Sequence, residues 1–106
     1  YGAVTLPTIT SDTIGATYKF IVGTDSTDLD VKTDGTDKFV GSLAVTGTTT
    51  KAFAPGATND VISMNGTTTG GDRGSIIEVT AIATAEYMVS GSLVGSGTVA
   101  TPFADS

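Results

Sequence analysis

The chain has 106 residues and a net charge of −6, eleven acidic against five basic side chains, with no His, Cys or Trp. Those absences exclude His- and Cys-based catalysis and the usual zinc ligand sets. The acidic balance argues against partners that need clustered Lys and Arg, namely nucleic acid and anionic membrane surfaces. About one residue in five is Thr and 14 are Gly, a composition of strands and tight turns rather than helices. The length predicts one domain over residues 1–106. Large apolar residues are sparse, with four Phe, three Tyr and two Met, so the core is thin and oligomerisation is the expected supplement. No apolar run approaches the roughly 18 residues of a membrane span, and no signal peptide is recognisable. The chain opens on Tyr1 rather than Met, as a processed product or the ordered part of a longer protein would.

In chain order, residues 3–6 read as a short strand closed by Pro7, and 9–14 as a turn-rich connection. Residues 17–22 alternate, with Tyr18, Phe20 and Val22 on one face and Lys19 on the other. Residues 23–28 turn the chain and 29–33 return it, Leu29 and Val31 opposing Asp30 and Lys32. Asp34-Gly35 is a hairpin-type dipeptide. One strand is predicted over 39–45, an extended Thr-rich stretch over 47–51, and a loop over 54–59 around Pro55-Gly56. Residues 60–64 form a strand with Val61 and Ile62 on opposite faces, and 65–74 the one obvious loop. Residues 75–83 make a long strand whose apolar residues fall on both faces, Ile76 and Ile82 against Ile77 and Val79, which predicts burial on both sides. After a turn at Thr84-Ala85, residues 86–90 pair back, and 98–100 form a last short strand. No sustained helical period occurs, and the only place for a helical turn is 81–85. The pattern predicts an all-β fold, a compact antiparallel β-sandwich or barrel of about seven or eight short strands. The segments 41–48 and 91–98 echo each other as Gly-Ser-Leu-Ala-Val-Thr-Gly-Thr and Gly-Ser-Leu-Val-Gly-Ser-Gly-Thr, read either as related strand-turn units or as coincidence in a Gly/Thr/Ser-rich chain.

Few motifs carry chemistry. Residues 94–100 fit a Gly-x-Gly-x-x-Ala pattern, but Pro102 and the end of the sequence leave no room for the helix that would hold a pyrophosphate, so a turn is the reading. The loop 66–74 lacks the Lys-Ser/Thr of a phosphate loop and offers Asp72-Arg73 instead. Its sole Arg suits a bidentate bond to a partner carboxylate, so Gly70, Gly71, Asp72, Arg73 and Gly74 are the candidate partner contacts, with the termini. Asp25, Asp28, Asp30, Asp34 and Asp37 are dense enough to raise the question of Ca²⁺. Lys32 interrupts them and no Glu closes the set, so a solvated face that deters edge-to-edge pairing is preferred. Glu78 and Glu86 flank a turn as a glycosidase pair would, but Trp is absent and aromatics are few. Asn65-Gly66-Thr67 has the form of a glycosylation sequon and reads by default as an Asn-Gly turn. No cofactor, metal or catalytic residue is predicted, and no small-molecule substrate.

Two segments resemble small virion proteins of tailed phages. Gly15-Ala-Thr-Tyr-Lys-Phe-Ile-Val22, after Val-Thr-Leu-Pro at 4–7, looks like the opening of many such proteins. The run Asp60-Val-Ile-Ser-Met-Asn-Gly-Thr-Thr-Thr-Gly-Gly71 continues through Gly74-Ser-Ile-Ile-Glu78 and Gly91–Thr98 to Ala100-Thr-Pro-Phe103. It is similar to the C-terminal half of capsid-associated proteins of marine and cyanobacterial phages. The resemblance spans most of the chain as a pattern of strands and turns. It departs at Tyr87, where related tail-fibre and spike modules usually carry Trp. It implies a non-enzymatic capsid decoration, or cement, protein: a β-rich homotrimer on the outer capsid surface of the virion, clamping the major capsid protein. A tail-fibre or receptor-binding module and the subunit of an extracellular filament are the alternative readings.

Overall fold

The computed structural model describes residues 2–25 and 27–105. Tyr1, Ser106 and Ser26, and with them the terminal contacts and the middle of the 23–28 turn, lie outside the described residues. Among the described residues ten strands form: β1 (Gly2–Thr5), β2 (Thr17–Ile21), β3 (Leu29–Lys32), β4 (Lys38–Gly41), β5 (Leu43–Thr46), β6 (Lys51–Phe53), β7 (Val61–Met64), β8 (Ile76–Ala83), β9 (Glu86–Val94) and β10 (Phe103–Ala104). They make two open sheets packed as a sandwich, as the all-β pattern predicts. A four-stranded sheet runs β1-β3-β7-β10, and a six-stranded sheet runs β2-β8-β9-β5-β6 with β4 also against β9.

The sheets are mixed rather than antiparallel, because β1 runs parallel to β3, and β4 and β5 run parallel to β9. The single strand expected over 39–45 is two, stepping at Gly41-Ser42 along the same neighbour. Gly41 holds φ at +103°, where a methyl group would collide with the Val89 carbonyl oxygen, so only glycine fits this step. The echoing segments 41–48 and 91–98 therefore lie side by side, in parallel. The pairing offset is 48 residues, Gly41 opposite Val89 and Thr46 opposite Val94. Asp34-Gly35 is not a hairpin, since β3 pairs with β7 and β4 with β9, and the dipeptide carries the chain between sheets. β9 runs to Val94, four residues beyond the predicted end. The last strand is β10, not 98–100, and it pairs antiparallel with β7. The extended Thr-rich stretch becomes the connection between β5 and β6.

The core follows the two-residue strand period. Val31, Ile62, Met64 and Phe103 face inward from one sheet, and Phe39, Leu43, Val45, Ile77, Val79, Tyr87, Val89 and Leu93 from the other. Phe39 and Phe103 meet across the gap at 6.4 Å, tilted by 51°. The connection from β1 to β2 crosses one end of the sandwich and buries Leu6 and Ile9 there.

Candidate interaction surfaces

The glycine-rich loop is a tied knot. The Asn65 side-chain oxygen accepts from the Thr67 and Thr69 amides at 2.8 and 3.0 Å and from the Thr67 hydroxyl at 3.1 Å. Its side-chain NH₂ donates to Thr68 Oγ1, and its backbone NH to Thr69 Oγ1. This agrees with the turn reading of Asn-Gly, since Asn closes turns by bonding its own backbone a few residues on. Buried Ser75 ties the other half. Its Oγ accepts from Val94 NH at 2.9 Å and Gly71 NH at 3.3 Å, and donates to the Asp72 carbonyl at 2.8 Å. Gly70 is pressed against Leu93 at φ +88°, where any side chain would collide. Of the five candidate contacts, Gly70 and Gly71 are therefore buried spacers, Asp72 is half-buried, and Arg73 and Gly74 are exposed. The Arg73 backbone NH donates to Asp25 Oδ1 at 2.8 Å, pinning the 22–28 turn to the loop. The Val94–Ala100 turn joins the same knot through Ser96 NH to Thr67 O and Ala100 NH to Thr68 O, both at 2.9 Å.

The acidic run is dispersed by the fold. Asp34 is exposed and caps its own turn, accepting from Thr8 Oγ1 at 2.7 Å and from the Thr36 and Asp37 amides. Those hydrogen bonds, the Thr8 hydroxyl first, hold its carboxyl below the ordinary range. Asp37 is instead buried, 2% exposed, and accepts from Ile9 NH at 3.4 Å. Loss of solvation pushes its carboxyl up, and the nearby Asp34 charge adds to this. Asp60, also buried, receives Lys38 Nζ at 3.4 Å. Among the described residues no three acidic side chains gather as metal ligands. At this same end Tyr87, 1% exposed, donates its hydroxyl to the Pro7 carbonyl at 2.6 Å. Its burial raises the phenol to about 12. Asp34, Asp37 and Tyr87 thereby close the end of the sandwich against the crossing 6–16 segment.

The outer face of the six-stranded sheet has no second layer. The expectation that β8 is buried on both sides is corrected here: Ile77 and Val79 are buried, whereas Ile76 is 36% and Ile82 44% exposed. Ile21 on β2 is 65% and Met88 on β9 45% exposed. Cross-strand register sets Ile21 beside Ile76 beside Ser92 beside Ala44 beside Ala52 in one row. The next row is Lys19, Glu78 and Ser90, and the one after it is Thr17, Thr80 and Met88. Thr17 and Thr80 bond through their hydroxyls at 3.0 Å. Glu78 opposes Ser90, and Glu86 sits beside Ala83, so the two glutamates do not face each other as a catalytic pair would. None of the nine aspartates lies on a strand of this sheet, which carries three lysines and two glutamates. A nearly neutral surface with four exposed apolar groups is the part of this molecule most suited to contact another protein.

Two concavities flank this face. One, of about 710 Å³, lies between β4, Pro55-Gly56-Ala57 and the 83–86 turn. The other, of about 420 Å³, opens between the edge strands β1 and β2 and is lined by Val4, Phe20, Val22, Leu29 and Met64. Reading the sequence alone misses the open face, because an apolar residue on the outer side of a strand looks the same whether or not a second layer covers it. The available signal is the company those residues keep: Glu86, Ser90 and Ser92 share the outward side of β9 with Met88 and the strand's last residue, Val94. Comparison with protein-family models, with curated proteins and with solved structures finds no match to this chain.

Proposed function

We propose that this chain is a non-enzymatic virion structural protein, a decoration protein that binds the major capsid protein on the outer capsid surface as a homotrimer. The observation that carries a docking role is the uncovered outer face of the six-stranded sheet, nearly neutral on a protein of net charge −6. The buried polar groups fit the same reading, since Asp37, Tyr87 and Ser75 are engaged in holding connections in place. The virion setting comes from the phage-like segments at 15–22 and 60–103. An acidic exterior protein sits away from packaged DNA, and several modest interfaces acting together hold firmly through avidity. The test is co-sedimentation of the purified chain with expanded, empty capsids, with capsid melting followed in parallel. Binding with a raised melting temperature supports the reading, and a chain that stays in the supernatant overturns it.

One observation favours a second reading. The apolar opening between β1 and β2 lies at the exposed edges of both sheets, where an added strand from a neighbouring subunit would extend either sheet. That arrangement suits the subunit of an extracellular filament. Fibres seen by electron microscopy in concentrated samples without capsids would favour it.

A further inference from the structure

We infer that the outer face of the six-stranded sheet is where copies of this chain meet, with β2 of one copy lying over β8 of the next. The inference goes beyond the reading above and does not rest on it: it names a face that joins copies in pairs.

Charge distribution carries the choice of a second copy. Two bodies of net charge −6 repel each other over most of their surfaces. All nine aspartates lie on the four-stranded sheet, the loops and the end segments, so the six-stranded sheet is the broad surface free of that repulsion. Within it the charged row is self-complementary: Lys19 stands on the edge strand β2, and Glu78 directly beside it on β8. Laying β2 of one copy along β8 of another sets Lys19 against Glu78, Ile21 against Ile76, and Thr17 against Thr80, row by row. Lys19 is exposed and Glu78 half-buried, and they form no ion pair with each other within one copy, where the one described salt bridge is Lys38–Asp60. Each is therefore available to a neighbour. Ile21, the most exposed large apolar side chain among the described residues, lies at the rim that such a contact would cover. Because β2 and β8 are paired neighbours on one face, the partner's β8 lies over β2 at the same time, and a single two-fold axis between the strands satisfies both contacts, the isologous arrangement that homo-oligomers favour.

Lys19 in the middle of β2 also argues against the competing arrangement, in which two β2 edges pair in one continuous sheet. Antiparallel edge pairing centred on this strand would place Lys19 opposite Lys19, and an edge lysine is a usual guard against such pairing. The face of the strand is left for contact while its edge is protected.

The experiment is light scattering after size exclusion, on the wild-type chain and on Ile21→Lys, Lys19→Glu and the exchanged pair Lys19→Glu/Glu78→Lys, each also melted in dilute solution. The expected result is a wild-type oligomer and an Ile21→Lys monomer with an unchanged dilute melt. Lys19→Glu should weaken association by about tenfold or more, and the exchanged pair should regain it. A wild-type monomer at high concentration overturns the inference, as does an oligomer indifferent to Ile21→Lys. Capsid co-sedimentation of the same variants separates the two proposals. A wild-type monomer that binds capsids, and loses them on Ile21→Lys, overturns self-association and assigns this face to the capsid. An oligomer that ignores capsids keeps the inference and overturns the decoration role.

Discussion

Replacing Ser75 with Ala removes a single oxygen from a position fully shielded from solvent. That oxygen accepts from Val94 NH at 2.9 Å and Gly71 NH at 3.3 Å and donates to the Asp72 carbonyl at 2.8 Å. The Asp72 carbonyl keeps a second donor, the Ser75 amide at 3.0 Å, so the loss falls chiefly on the Val94 amide. A buried donor left without its partner costs about 1–3 kcal/mol. The alanine methyl occupies nearly the same volume, so no cavity cost is added. The expected loss is about 2 kcal/mol of unfolding free energy. At about 4–8 °C per kcal/mol for a domain of this size, the melting temperature falls by about 8–16 °C. Urea unfolding followed by circular dichroism measures the change, and an unaltered denaturant slope shows that the folded state is as compact as before. Ser92→Ala, on the open outer face, is the control and should shift stability by less than about 0.5 kcal/mol. If Ser75→Ala behaves like Ser92→Ala, the glycine-rich end is held by something other than this hydroxyl, and its rigidity has been misread.

Asp37→Asn should raise stability at neutral pH. Burial holds the Asp37 carboxyl above its ordinary range in the folded chain, so its favourable contribution is complete only below the unfolded-state range and is lost as pH rises through the folded value. Asn keeps an oxygen for Ile9 NH, and its advantage in melting temperature should shrink on acidification. An advantage that grows in acid would refute the sign. Tyr87, raised to about 12 from 10.0, contributes stability that is present below about 10 and lost as pH climbs towards 12. An alkaline absorbance titration should show a late ionisation step that Tyr87→Phe removes. Gly41→Ala should destabilise by several times the roughly 0.5–1 kcal/mol of ordinary glycine effects, because its methyl meets the Val89 carbonyl at a φ that side chains avoid. A thermal melt near that of the wild type would show that the step between β4 and β5 relaxes freely.

Composition and two-residue alternation determined the all-β class, the positions of β1, β2, β3, β7 and β8, and the start of β9. The physical reason is local: which residues alternate, and where Gly, Pro, Asn and Asp interrupt them, is written in short windows of sequence. The Asn65 turn was legible for that reason, as was the inward face of β2. The parallel pairings of β4 and β5 with β9 were not, because they join residues 48 apart and only the closing of the whole sheet selects them. The fate of the acidic run was equally non-local, since Asp37 is buried by Ile9 and the crossing 6–16 segment while Asp34, three residues earlier, stays in solvent. Of the candidate contacts, sequence named Arg73 and Gly74, which the fold leaves exposed. It could not tell that Gly70 and Gly71 are spacers, because what presses on Gly70 is Leu93, on a strand 23 residues further along. The two-sided apolar pattern of β8 shows most directly what tertiary structure decides. Alternation states that Ile76 and Ile82 share a face, but only the arrangement of layers settles whether that face meets protein or solvent, and here the one covering sheet lies on the other side.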